Sequence, residues 1–230
     1  MTLLDNEYDL MWKMLAEDSD NYEHSMDKLH RKQTGSYFTS LDLTYSMMKE
    51  LVESLPRNVR KTLYNKTFLE PCVGTGNFVF AYLRVCRELK FSNENFIELL
   101  NNIYVCDINK SAIELYCKNL KIIAQSWFGI TLADSYFETH IGSGLLFDVD
   151  SNNIRYISIE EVFDLDASRT GFDIVVTNPP YKNLKAERAH YQSDEQKNND
   201  KQKYLQIGNL SNQYFSYSTF GTLNLYKLFV

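Results

Sequence analysis

Apolar residues recur at near-helical spacing early in the chain, at Leu3, Leu4, Tyr8, Met11, Trp12 and Leu15, with acids between them. That spacing predicts one amphipathic helix, or two, within residues 1–30, packed on a larger body. Residues 41–55, LDLTYSMMKELVESL, repeat the helical pattern, with Ser40 placed to cap the start and Pro56 just past the end. The period then changes. Residues 66–70, KTFLE, read as a short buried strand, and a glycine-containing turn, PCVGTGN, leads into the helical run FVFAYLRVCRELK.

Residues 94–101 predict a further short helix, and 102–107, NIYVCD, a second strand. The next helix is SAIELYCKNLKIIAQSWF, with Ser111 as candidate cap and Gly129 near its end. Within 130–165 three segments are strand-like, ITLA, GLLFDV and IRYISI, and their order is left open. FDIVVT at 172–177 is the last clear strand. Residues 182–213 are rich in Lys, Asn, Gln and Asp and predict a long loop, before LNLYKLFV begins a helical apolar pattern. Strands alternating with helices argue for an α/β fold with a largely parallel sheet. Ligands of such sheets sit beyond the carboxyl ends of the strands. That rule gathers the turn after KTFLE, the end of NIYVCD and the end of FDIVVT.

Composition narrows the picture. The chain has 230 residues, 44% of them hydrophobic, enough for one sizeable core. No run of eighteen apolar residues suggests a membrane span, and no basic segment opens a secretory signal. The four cysteines have no CxxC spacing and no histidine cluster beside them, so no metal site is expected and a reduced, cytoplasmic setting fits. Of the net charge of −6, residues 1–27 carry −7, so the rest nets +1. A polyanion grip normally needs a clear basic excess, so any contact with nucleic acid must be local or made elsewhere.

Three turns carry candidate chemistry. Glu70-Pro71-Cys72-Val73-Gly74-Thr75-Gly76-Asn77 follows a strand and opens a helix. Its glycines permit a tight turn and close approach of a ligand to the main chain. The GxGxxG fingerprint is incomplete, since Val79 stands three after Gly76, and no Gly-Lys-Ser/Thr marks a phosphate loop. Asp107, ending the second strand, can accept hydrogen bonds from a ribose diol or simply favour a helix N-terminus. Asn178-Pro179-Pro180-Tyr181 stops the strand FDIVVT. Proline cannot continue a central strand and pushes the residue before it into extended geometry. The turn thus offers an amide and an aromatic face on which a base can stack.

LEPCVGTGNF, VCDI and VVTNPPY together resemble the S-adenosylmethionine-dependent DNA methyltransferases that modify the N6 amine of adenine. The cofactor motif before NPPY resembles the restriction–modification subgroup. Residues 35–40, GSYFTS, are similar to an element preceding the glycine turn there, with Ser40 where proline is usual. The resemblance implies a Rossmann-like class I methyltransferase sheet. It implies that Tyr37 and Thr39, with Glu70, Pro71, Gly74 and Gly76, hold the methionine part of S-adenosyl-L-methionine, and that Asp107 holds its ribose. Asn178 and the Pro179 carbonyl would accept from the adenine amine within the Asn178–Pro179–Pro180–Tyr181 turn, and Tyr181 would stack on a base flipped out of double-stranded DNA. For the acid that meets the cofactor's adenine, Asp134 is the choice, with Asp148 and the region around Glu161 as competitors.

The expected organisation is a helical segment with GSYFTS over 1–55 and a partial catalytic domain over 56–230. A family sheet of seven strands would lack its C-terminal strands here, and a target-recognition domain would be a separate domain or subunit. Two alternatives stay open: a methyltransferase acting on a glutamine amide of release factors, which also uses NPPY, and an inactive remnant or non-catalytic binding subunit.

Overall fold

The structure is a computed structural model describing residues 3–27, 31, 37–143, 147–150, 153–157, 159–165, 171–180 and 193–215. Gly35, Ser36, Tyr181, residues 182–192 of the polar segment and the final LNLYKLFV lie outside the described residues. Helix α1 is Leu3–Ser25 and α2 is Leu41–Ser54. A one-turn helix α3, Arg57–Arg60, and a 3-10 turn, Leu63–Asn65, lead to β1, Phe68–Glu70. Then follow α4 (Asn77–Glu88), α5 (Asn93–Asn101), β2 (Ile103–Cys106), α6 (Lys110–Phe128), α7 (Asp134–His140) and β3 (Ile141–Gly142). The hairpin β4–β5 (Phe147–Asp150, Asn153–Tyr156), α8 (Ile159–Phe163), β6 (Ile174–Val175) and α9 (Asp194–Phe215) complete the described elements.

Four strands form one parallel sheet in the order β3-β2-β1-β6, and β4 pairs antiparallel with β5 apart from it. The chain builds outward from β1 to β2 and β3, then returns to place β6 on the other side of β1. The strand order therefore reverses between β1 and β6, which is where an open α/β sheet leaves a crevice at its carboxyl edge.

Every residue of β1 and β2 is buried, as central parallel strands require. Their side chains alternate in destination. Phe68, Ile103 and Val105 enter the main core, whereas Leu69, Tyr104 and Cys106 join a small cluster with Phe163 of α8. Helix α4 is apolar almost all round and lies between the sheet and α2, with Phe78 to Leu83 all buried. Trp12 and Leu15 of α1 and Met48 and Val52 of α2 belong to that same core, so residues 1–55 and the sheet share one hydrophobic interior. Burying side chains of this size contributes about 1.5–3 kcal/mol each.

The structure departs from the sequence reading at several elements. ITLA is not a strand; it crosses to α7, and the third strand is Ile141–Gly142. IRYISI splits into a strand and the start of α8. The cap of α6 is Asn109, whose side chain accepts from the Ala112 N–H, rather than Ser111. Ser40 holds the N-cap position of α2 without a side-chain capping bond. Most of the expected polar loop is helix α9, whose start is capped by Ser193 accepting from the Gln196 N–H.

Candidate active site

The glycine turn begins at Glu70, the last residue of β1, and hooks over the end of β2: the Val73 N–H donates to the Cys106 carbonyl at 2.8 Å. Gly76 N–H donates back to the Val73 carbonyl at 2.8 Å, closing the turn. Gly74 and Gly76 both take positive φ, +53° and +97°, a region closed to most side chains. Their missing Cβ atoms are also required by packing. One at Gly74 would lie 2.6 Å from the Phe38 ring, and one at Gly76 2.5 Å from Tyr116 and 2.8 Å from Phe80.

Asp107 stands at the end of β2 and braces this turn. One carboxylate oxygen accepts from the Gly74 N–H at 2.7 Å and the other from the Asn109 N–H at 2.8 Å. Burial raises its pKa, opposed by these N–H groups. Glu70 is more deeply buried. Burial first and the nearby Asp107 charge second push its carboxyl well above the usual range, against one N–H from Val79. Its Oε2 is buried with no partner. A buried carboxyl with an orphaned oxygen costs stability unless a donor or a cation meets it.

On the other side of the crevice β6 leaves the ladder after Val176, whose N–H still donates to the Leu69 carbonyl at 3.1 Å. Asn178, Pro179 and Pro180 follow, half-buried. The Asn178 Nδ2 donates to the Tyr37 carbonyl at 3.0 Å and to the Thr39 hydroxyl at 2.9 Å. The strap Tyr37–Ser40 thus spans the crevice. Its other anchor is Asn77, the first residue of α4, whose Nδ2 donates to the Thr39 carbonyl at 2.8 Å and to the Ser19 hydroxyl at 3.0 Å. Ser19 lies 2.8 Å from the Thr75 hydroxyl, in a buried contact. Phe38 lies over Gly74 and meets Tyr22 of α1 edge to face.

Tyr37, Thr39, Glu70, Pro71, Gly74, Gly76, Asp107, Asn178, Pro179 and Pro180 therefore gather at one edge of the sheet, the buried Pro71 as part of the turn. Tyr181 lies outside the described residues. Asp134 does not join them. It opens α7, which precedes β3 and so approaches the sheet from the amino edge, where His140 meets the Asn101 carbonyl. Its side chain is 88% exposed and pairs with Lys121 at 2.6 Å, which lowers its pKa by hydrogen bonding and charge. The third strand begins at Ile141, so Asp134 lies before it and not beyond its carboxyl end. Asp148, the competing choice, lies in β4 of the separate hairpin, and Glu161 in α8.

Sequence reasoning missed Asn77, Ser19, Tyr22 and Ile108. Ser19 and Tyr22 continue the helical stripe of Trp12 and Leu15, so extending the period by one turn would have put them inside. Ile108 is 58% exposed beside Asp107, apolar surface left at the ligand edge. Among the described residues no group of carboxylate, His or Cys side chains could hold a metal, and no helix is long and apolar enough to cross a membrane.

A mixed α/β protein with a four-stranded parallel sheet, a glycine turn, a buried and a half-buried acid and a proline-stopped strand at one carboxyl edge is compatible with a methyltransferase-like fold. Residues 101–230, more than half of the chain, match the family model of the Eco57I restriction-modification methylase, and the chain belongs to that family. The match includes Asp107 and the Asn178 turn and begins after the glycine turn. The family supports a DNA methyltransferase function. A search of curated proteins finds no match.

Proposed function

We propose that this chain transfers a methyl group from S-adenosylmethionine to the N6 amine of an adenine turned out of double-stranded DNA, as the modification enzyme of a restriction–modification system in the cytoplasm. The observation that carries the reading is the Tyr37–Ser40 strap, which ties the glycine-turn helix, through Asn77, to the Asn178 turn. A cofactor subsite and an amine-acceptor subsite are thereby fixed side by side. Residues 56–230 belong to the catalytic unit, and residues 1–55 supply its strap and outer helices. A target-recognition domain or subunit selects the DNA site.

The residues fit the cofactor. S-adenosylmethionine carries two positive charges, on its sulfonium and its α-ammonium, and when bound it supplies an electrophilic methyl group. The buried Glu70, with its unpartnered Oε2, and Asp107 beside it form an acidic pocket suited to such a ligand. Glu70 to Gly76 and the strap at Tyr37 and Thr39 hold the methionine part. With main-chain N–H groups of Gly74, Ile108 and Asn109 on its carboxylate, Asp107 still has acceptor capacity for a ribose hydroxyl. Ile108 offers apolar contact to the nucleoside ring.

On the acceptor side, Asn178 Oδ1 and the Pro179 carbonyl accept hydrogen bonds from the two N–H groups of the adenine amine. The amine lone pair is delocalised into the ring, and two acceptors favour a pyramidal nitrogen aligned for in-line attack; the N–C bond would form as the sulfonium C–S bond breaks, the thioether would leave, and one amine proton would pass to water. Catalysis is then positioning and local electrostatics, without a covalent enzyme intermediate. Tyr181 stacks on the base, returning about 1–3 kcal/mol of the few spent on flipping it out.

The acidic pair gives a pH test. Because burial raises the Glu70 and Asp107 pKa values, the folded free chain keeps protons that the unfolded chain releases. Their contribution to stability is full below the ordinary carboxylate range and falls as pH rises through the raised values. A cationic ligand favours the ionised forms, so binding S-adenosylmethionine releases protons. Affinity therefore tightens with pH above the carboxylate range, by up to about tenfold per unit for one proton. Calorimetry in buffers of different ionisation enthalpy reads that release directly. An affinity independent of pH, with no proton release, would remove the role given to Glu70.

A further inference from the structure

The Asn178 amide has two unlike ends, a donor nitrogen and an acceptor oxygen. Its nitrogen faces the Tyr37 carbonyl at 3.0 Å and the Thr39 hydroxyl at 2.9 Å. A carbonyl can only accept, so the opposite orientation would set the amide oxygen against the Tyr37 oxygen and lose that bond. Both amide protons are thus committed to the strap. The oxygen lies at the other end of the planar group and takes no hydrogen bond among the described residues. The strap is itself anchored, since the Asn77 Nδ2 donates to the Thr39 carbonyl at 2.8 Å and to buried Ser19 at 3.0 Å.

We infer that the Tyr37–Thr39 strap is a positioning device for the acceptor subsite: it locks Asn178 with Oδ1 presented before any substrate enters, and Thr39 is the side chain through which it acts. This rests on the reading of Asn178 as the amine acceptor and deepens it, because Thr39 was assigned above only to the cofactor side. Two consequences follow. An acceptor already aligned costs no reorganisation when the amine arrives. A locked oxygen also recognises an N–H donor and repels a carbonyl, so the subsite favours bases bearing an exocyclic amine over keto bases at that atom.

The lock is read in the free chain by nuclear magnetic resonance of 15N-asparagine-labelled protein, with Asn178→Ala assigning the resonance. The Asn178 amide protons exchange with water at least about tenfold more slowly than those of exposed Asn58. Thr39→Ser keeps that protection and Thr39→Val loses most of it. Wild-type protons exchanging as fast as those of Asn58 would overturn the inference, and that measurement stands even if Thr39→Val fails to fold. In single-turnover methyl transfer to duplex DNA at saturating S-adenosylmethionine, Thr39→Val is slower by about tenfold to a hundredfold and Thr39→Ser stays near wild type. A Thr39→Val rate equal to wild type would likewise overturn it. Protected amide protons in a chain that transfers no methyl group would leave the lock intact and instead sink the methyl-acceptor reading.

Discussion

Asn178→Ala lowers single-turnover methyl transfer by about a hundredfold to a thousandfold, the usual loss when an acceptor or donor aimed at the reacting group is removed. Binding of S-adenosylmethionine changes far less, by no more than about threefold, because the contacts proposed for it come from the glycine turn, Asp107 and the strap. Asn178→Asp falls between. It keeps an acceptor, but it has no donor for the Tyr37 carbonyl, so the strap loses one of its two bonds to this turn. Rapid-quench methyl transfer and calorimetry separate the two effects. A large loss of cofactor affinity in Asn178→Ala, with the transfer rate at saturation unchanged, would place Asn178 in the wrong subsite.

Gly76→Val unfolds or severely destabilises the chain, by about 3 kcal/mol or more. Two costs add. At φ +97° a β-branched residue is strained, and its Cβ meets the Tyr116 and Phe80 rings inside 3 Å. Both rings are buried in the main core and cannot swing aside. Urea titration measures the loss, and Gly129→Ala is the control. Gly129 also has a positive φ, +68°, but nothing lies within 4 Å of the added Cβ, so it costs only about 1 kcal/mol. Equal losses at the two positions would show that backbone strain alone, and not packing of the turn on the core, explains Gly76. Gly74→Ala differs again, because its added carbon meets Phe38 on the half-buried strap. It displaces the strap before it displaces the core, so methyl transfer falls further than stability does.

These effects also explain what could be read from the chain before its fold was known. Phe68–Glu70, Ile103–Cys106 and the strand before Asn178 are bounded by chemistry that acts locally: a glycine turn, a helix cap, two prolines. The edge rule for parallel sheets then placed the three turns together. The third strand carried no such signal. Ile141–Gly142 is two residues long, and it is a strand only because β2 pairs with it and because Gly142 admits Val162 and the Cys106 sulfur, whose atoms would stand 2.3 and 2.9 Å from a Cβ there. ITLA is strand-like by composition but leads into α7, and this puts Asp134 at the amino edge of the sheet, away from the other site residues.

Helix α9 was hidden for the opposite reason. Its Lys, Gln and acidic residues form helices readily but show no apolar stripe, so polarity suggested a loop, and the Ser193 cap was the available signal. The strap's grip on Asn178 lay beyond any local pattern, since Thr39 and Asn178 are 139 positions apart. GSYFTS marked the segment by resemblance, yet its hydrogen bonds to the amide come only from the fold.

The central claim is the identity of the methylated atom. Duplex DNA is incubated with excess chain and S-adenosylmethionine, digested to nucleosides and analysed by mass spectrometry. The account predicts N6-methyl-2′-deoxyadenosine with the wild-type chain and none above background with Asn178→Ala. Methylated cytosine in its place, a methylated glutamine amide in a protein substrate without modified adenine, or no methylated adenine at enzyme excess would contradict it.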